Sequence, residues 1–118
     1  MNYAFICTDD GDQTELRSKH FLEHLRYVES NLSKVVVGGP CAPSDAGDDR
    51  QFQGSIMVYE AESEAEARAL FDGDPYVKNG VWSKVRMMPF NPVAGQLIGG
   101  KTWVIEGDQM KLAEPHGL

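Results

Sequence analysis

Two hydrophobic periods run along this chain, and the switches between them mark out its elements. Asn2–Thr8 (NYAFICT) is a short apolar run with aromatic and β-branched residues, closed by the turn signal DDGD; it reads as a strand. The period then lengthens. Thr14 can cap a helix and Leu16 opens its pattern, with Phe21, Leu25, Val28 and Leu32 stepping by four, three and four along one face that Leu22 widens. This face is expected to be the helix's core side. Val35–Val37 form an unbroken β-branched run that ends at GGP, a central strand. Gly38 and Gly39 leave room for something to approach the backbone. A proline- and acid-rich loop follows, and Gly54–Ser63 resumes a period of two, with Ile56 and Val58 alternating with Met57 and Tyr59.

Ser63 with Glu66 is a capping box for a second helix, packed through Ala67, Ala69, Leu70 and Phe71 and stopped at Gly73. Pro75 suits the first position of one further helical turn. Trp82–Phe90 alternates again, Val85, Met87 and Pro89 against Trp82, Lys84, Arg86 and Met88. The order β-α-β-β-α-β predicts an α+β fold: a four-stranded antiparallel sheet with both helices on one face, the ferredoxin-like arrangement. Residues 1–90 are expected to form this domain and residues 91–118 a C-terminal extension. In the extension, Lys101–Gly107 reads as a fifth strand, at an edge or across a dimer, with fraying from Asp108. Strands two and four are too apolar to stay wet on both faces, so a homodimer packed sheet to sheet is expected.

At 118 residues and 25% charged, the chain suits one domain with a modest core. A net charge of −7, with no basic cluster, sets binding to nucleic acid or anionic membranes against repulsion. The start MNYAFICTDD lacks the basic flank and apolar run of a signal peptide, and no segment approaches the ~20 apolar residues of a membrane helix. Cys7 and Cys41 make no CxxC or zinc pattern. A cytoplasmic protein with two free, structural thiols is expected.

His20–His24 (HFLEH) has the H-x-x-E-H spacing of an inverted zinc-protease motif. A zinc site needs a third ligand. His116 is the one other histidine, in the tail, and Glu23 lies about 100° from His24 on a helix. No metal site is expected. On the same wheel His24 falls about 60° from the centre of the apolar face, at its rim, and His20 about 100°, further towards solvent. Histidine exchanges a proton near neutral pH, so the rim position suits either proton transfer or hydrogen-bonded packing. Asp74, before Pro75, reads first as a turn or helix cap.

These pieces together, YAFICTD, HLRYV, VVVGGP, GSIMVYEAES, DPYVKNGVW and RMMPF, resemble the YCII-related family of small α+β proteins, over the stretch from the start to Phe90. The resemblance implies a dimeric α+β barrel. It also implies a catalytic pair of His24, aligned by HLxYL and its distance to GGP, with Asp74 of DPY. Ser55, Gly39 and Tyr76 would belong to the substrate-binding wall. Many members carry Arg-Pro shortly before the histidine; here those positions are Phe21 and Leu22, leaving Arg17 or Lys19, one turn earlier, to meet an anionic substrate.

The activity so implied is cofactor-independent acid–base chemistry on a small cyclic or aromatic metabolite, of lyase, isomerase or dehydrochlorinase type. A carboxylate bonded to one imidazole nitrogen leaves the other to move a proton. Cys41, just past GGP, has no flanking cation to stabilise a thiolate, which disfavours covalent catalysis. The alternative is a binding or accessory module that holds a small ligand in the same cleft without converting it.

Overall fold

The computed structural model describes residues 1–45 and 51–112. Four long strands, β1 (Asn2–Asp9), β2 (Val35–Cys41), β3 (Gly54–Glu60) and β4 (Trp82–Phe90), build one sheet; α1 (Thr14–Ser30), α2 (Glu64–Asp72) and the short α3 (Pro75–Lys78) lie between them in sequence. The sheet order is β2-β3-β1-β4 with every pairing antiparallel. This is the ferredoxin-like α+β architecture. The part of the acidic loop spanning residues 46–50 and the tail residues 113–118 lie outside the described residues.

Strand register decides which residues meet. Phe5 faces Met57 on one side and Met87 on the other, while Ile6 faces Ile56 and Arg86. Alternate residues point to opposite faces. Tyr3, Phe5, Cys7, Met57 and Tyr59 therefore share the helix-covered side, where they are buried with Phe71, Tyr76 and Val81. Phe71 of α2 stacks on Phe5, ring centroids 4.3 Å apart, and on Trp82 at 5.6 Å. A register shift between Thr8 and Asp9 pairs Asp9 with Trp82. This irregularity overrides the simple alternation expected for β4: Trp82 packs into the helix side of the core.

The helix caps follow local chemistry. Ser63 Oγ accepts the Glu66 N–H at 3.1 Å, the first half of the capping box; the Glu66 carboxylate reaches back to the Glu62 N–H at 3.4 Å rather than to that of Ser63. Thr14 does not cap α1. It is the first helical residue, and the Asp12 carboxylate accepts both its N–H and its hydroxyl. These bonds hold the exposed Asp12 carboxyl below the usual carboxylate range.

The expected core face of α1 is displaced. Phe21, Leu25 and Leu32 are 53%, 43% and 61% exposed, and of the four only Val28 packs on the core. The inward stripe is instead Leu16, Arg17, His20, His24, Tyr27 and Val28, about a quarter turn away on the wheel. The cause is tertiary. α1 leans on α3 and stands off β2, so its most apolar side lines an open groove.

The chain after Phe90 makes two small hairpins, β5 (Ala94–Gly95) with β6 (Gly100–Lys101), and β7 (Trp103–Glu106) with β8 (Gln109–Leu112). The strand expected over Lys101–Gly107 thus pairs within the extension and not with the main sheet, and Gln109–Leu112 is its ordered partner rather than a frayed end. A local hairpin pairs the facing backbone groups of its two strands without using an edge of the main sheet.

Candidate active site

α1 and α3 bring together two side chains fifty positions apart. His24 Nδ1 lies 2.7 Å from Asp74 Oδ1. Asp74 is fully buried, and the same Oδ1 accepts the Tyr76 N–H at 2.9 Å as the N-cap of α3. Cap and histidine partner, which the sequence presents as alternatives, are therefore one residue doing both. A carboxylate oxygen is an acceptor, so the imidazole donates from Nδ1, which in the neutral ring puts the lone pair on Nε2. The ring is held on its face by Tyr76, stacked at 4.0 Å and 2°, and on an edge by Trp82. Tyr76 is itself pinned by its hydroxyl, which donates to the Arg17 carbonyl at 3.0 Å.

Asp74 colours its surroundings electrostatically. Burial, then the Asp74 charge, push the Cys7 thiol up to about 12 and raise Tyr59 well above the ordinary phenol range. Burial likewise raises Tyr76. Tyr59 Oη, Trp82 Nε1 and Asp74 Oδ2 are buried with no hydrogen-bond partner among the described residues. Buried unpaired polar atoms are uncommon and costly, and they concentrate where a site needs a particular arrangement of charge.

His20 and His24 are equally covered, with side chains 13% and 14% exposed, so His20 does not lean into solvent as the wheel suggests. The rotation of α1 puts both in the inward stripe. They do not share a partner: His20 Nδ1 meets Glu23 at 3.2 Å. Among the described residues no three of His, Cys, Asp and Glu come together as metal ligands. His116 lies outside the described residues.

His24 sits in the wall of a groove of about 820 Å³ between α1, β2 and β3, with Asp74 buried behind it. That is an ordinary size for a small-molecule site. Gly39, Ser55 and Tyr76 all line it, beside Phe21, Leu25, Val28, Val35 and Val37. The two glycines of GGP differ in use. A Cβ on Gly38 would strike the Met57 thioether, whereas one on Gly39 would meet open space. Cys41 is half-buried and free, and lies outside this groove.

One residue gains a far larger place than its sequence context indicates. Arg17 is buried and bound side-on to Asp9, Nε to Oδ2 at 2.6 Å and Nη2 to Oδ1 at 2.7 Å. It also reaches the Gly54 carbonyl at 3.0 Å and Ser55 Oγ at 3.3 Å. Phe52 and Tyr76 flank the guanidinium, 5.6 and 5.5 Å from their ring centroids. The signal that could have found it is the spacing Arg17, His20, His24, Tyr27, a polar stripe stepping three, four, three beside the apolar one.

Residues 1–91 match the YCII-related domain family. The protein YciI of Escherichia coli O6:H1 is 32% identical over 97 residues, covering 79% of this chain and 99% of that protein. YciI of Shigella flexneri matches to the same extent. In structure, the chain is similar to the 5-chloro-2-hydroxyhydroquinone dehydrochlorinase TftG of Burkholderia phenoliruptrix AC1100, solved in complex with 2,5-dihydroxybenzoquinone. The TM-score is 0.71 at 28% identity, over 81% of this chain and 97% of that one. The chain belongs to the YCII-related family.

Proposed function

We propose that this protein is a small cofactor-independent enzyme in which His24 and Asp74 perform acid–base chemistry on a cyclic or aromatic molecule, as a lyase, isomerase or dehydrochlorinase. The observation that carries this is the 2.7 Å contact between a groove-lining histidine and a fully buried carboxylate. Asp74 holds the Nδ1 proton and supports the imidazolium. Nε2 takes a proton from the ligand and returns it to another atom or to a departing group. Gly39, Ser55 and Tyr76 form the wall that positions the ligand. The dehydrochlorinase named above supports a hydroxylated ring as the kind of ligand to try first.

The working unit we assign is a homodimer. Ile6, Ile56, Met88 and Phe90 are exposed large apolar side chains, and register places them on the sheet face away from the helices. A second copy packed on that face removes them from water. The cytoplasm is the setting we assign, because both cysteines are free. No described helix is long and apolar enough to cross a membrane.

The test is chloride release from 5-chloro-2-hydroxyhydroquinone, followed in parallel with the pH dependence of ligand binding. His24→Asn and Asp74→Asn are each expected to lower kcat by about 10²-fold or more, as for loss of a general base, with native oligomeric state. Native rates in both variants would sink the reading. Binding that ignores pH between about 5 and 8, without conversion, would instead favour the non-catalytic module.

A further inference from the structure

The extension after Phe90 lies almost wholly beyond the family match, which ends at residue 91, and its second hairpin is sorted by side chain. Facing residues of an antiparallel pair share one side of the ribbon, and side chains alternate along each strand. Trp103 faces Leu112 and Ile105 faces Met110, so these four make one apolar side. Val104, Glu106, Gln109 and Lys111 make the other, where Lys111 Nζ meets the Glu106 carboxylate at 2.7 Å. The second side is suited to water. The first is not, yet Ile105, Met110 and Leu112 are 64%, 61% and 80% exposed. A lone two-stranded ribbon is marginal in water and needs a packed face to persist. β7 and β8 pack chiefly on each other, so their own domain does not supply that packing.

We infer that the β7–β8 hairpin of one copy closes the groove mouth of a second copy, adding Ile105, Met110 and Leu112 to the wall that Phe21, Leu25 and Leu32 begin. The inference goes beyond the proposed function and rests on its homodimer. Three observations select this occupant. The groove rim is the complementary surface: Phe21, Leu25 and Leu32 line it and are largely open to water. Its size fits, since Phe21 to Val28 runs about 10 Å along α1 and a four-residue strand about 13 Å. Topology then turns the hairpin away from its own groove. The order β2-β3-β1-β4 puts the groove at one edge of the sheet and the start of the extension at the other, about 14 Å apart, and no described residue of the extension lines the groove. In a sheet-to-sheet pair with its two-fold axis along the strands, β4 of each copy lies over β2 of the other, so the hairpin leaves beside the partner's groove. Charge agrees. The chain carries −7, which sets copies against each other, but residues 92–112 hold two lysines against one glutamate and one aspartate. A neutral arm meets no such repulsion. The groove is thus completed only in the dimer, where the partner's apolar side chains keep water from His24.

The experiment is disulfide trapping in the full chain. Cys41→Ser removes the accessible native thiol, and Leu25→Cys with Met110→Cys places one new thiol on the groove rim and one on the apolar side of the hairpin. Light scattering gives the mass before oxidation; non-reducing electrophoresis and peptide mapping then show which cysteines join, and whether within or between chains. A covalent dimer joined from residue 25 to residue 110 is expected. Leu25→Cys with Lys111→Cys, one position along on the other side of the ribbon, is expected to give at least about fivefold less of it, because alternate side chains point apart. Phe21→Cys replaces Leu25→Cys if the latter melts early. A link within one chain would show the hairpin closing its own groove and would overturn the inference. A dimer that forms no link between residues 25 and 110, or links 25 to 111 equally well, would overturn it and leave the homodimer standing. A monomer before oxidation would overturn both. Turnover is not read in this experiment, so the acid–base reading stands or falls separately.

Discussion

Asp74 shows how much a single buried residue can organise. It caps α3 and fixes the imidazole of His24, and its charge adds to burial, the larger cause, in pushing the Cys7 thiol up to about 12. The thiol shift has a checkable consequence. A thiol whose folded pKa lies above its unfolded value near 9.0 holds its proton more tightly in the native state. Its contribution is fully present below pH 9 and is lost as pH rises towards 12. Tyr59 acts in the same direction at still higher pH. Melting temperature is therefore expected to fall progressively above pH 9, and Cys7→Ser should flatten the first part of that fall. Iodoacetamide at pH 8 should label the half-buried Cys41 and spare Cys7 until the protein unfolds, which mass spectrometry of digested protein would show. At this scale the sequence was partly legible. His24 and Asp74 were singled out only by the resemblance to the YCII-related family, through the distance to GGP and the DPY motif. Arg17 was named only as a substitute cation, because its burial depends on Asp9 at the end of β1 and Gly54 and Ser55 at the start of β3.

Elements were legible wherever they carry their own signals. The Ser63 cap, Pro75 at the start of α3 and the alternation of β3 are local chemistry and appear as expected. Ser63→Ala is expected to cost about 1 kcal/mol, read from chemical denaturation. α1 was misread because an apolar stripe predicts burial only if something packs on it. A paired measurement separates the two views. Phe71→Ala, in the stacked core with Phe5 and Trp82, should cost about 3–5 kcal/mol. Leu25→Ala, on the groove side of α1, should cost less than about 1 kcal/mol, because Leu25 is already 43% exposed. A Leu25 cost in the range of Phe71 would restore it to the core. The groove thus has its apolar lining from the side of α1 that would otherwise have sealed the domain.

For the whole molecule, the decisive feature is a sheet with helices on one face and large apolar side chains open on the other. Ile56→Lys and Phe90→Asp are expected to shift the protein from dimer to monomer in light scattering; a native dimer in both would move the proposed interface elsewhere. The hairpins after Phe90 bond within themselves, and with them the molecule extends to 54 × 34 × 22 Å. The order of elements and their antiparallel pairing follow from the sequence, because turns, caps and periodicity are written in neighbouring residues. The rotation of α1, the inward turn of Trp82, the buried Arg17–Asp9 pair and the meeting of His24 with Asp74 at 2.7 Å were decided by the tertiary structure. Each is a contact between distant segments, and its geometry depends on how helices settle on a twisted sheet, which no local pattern encodes.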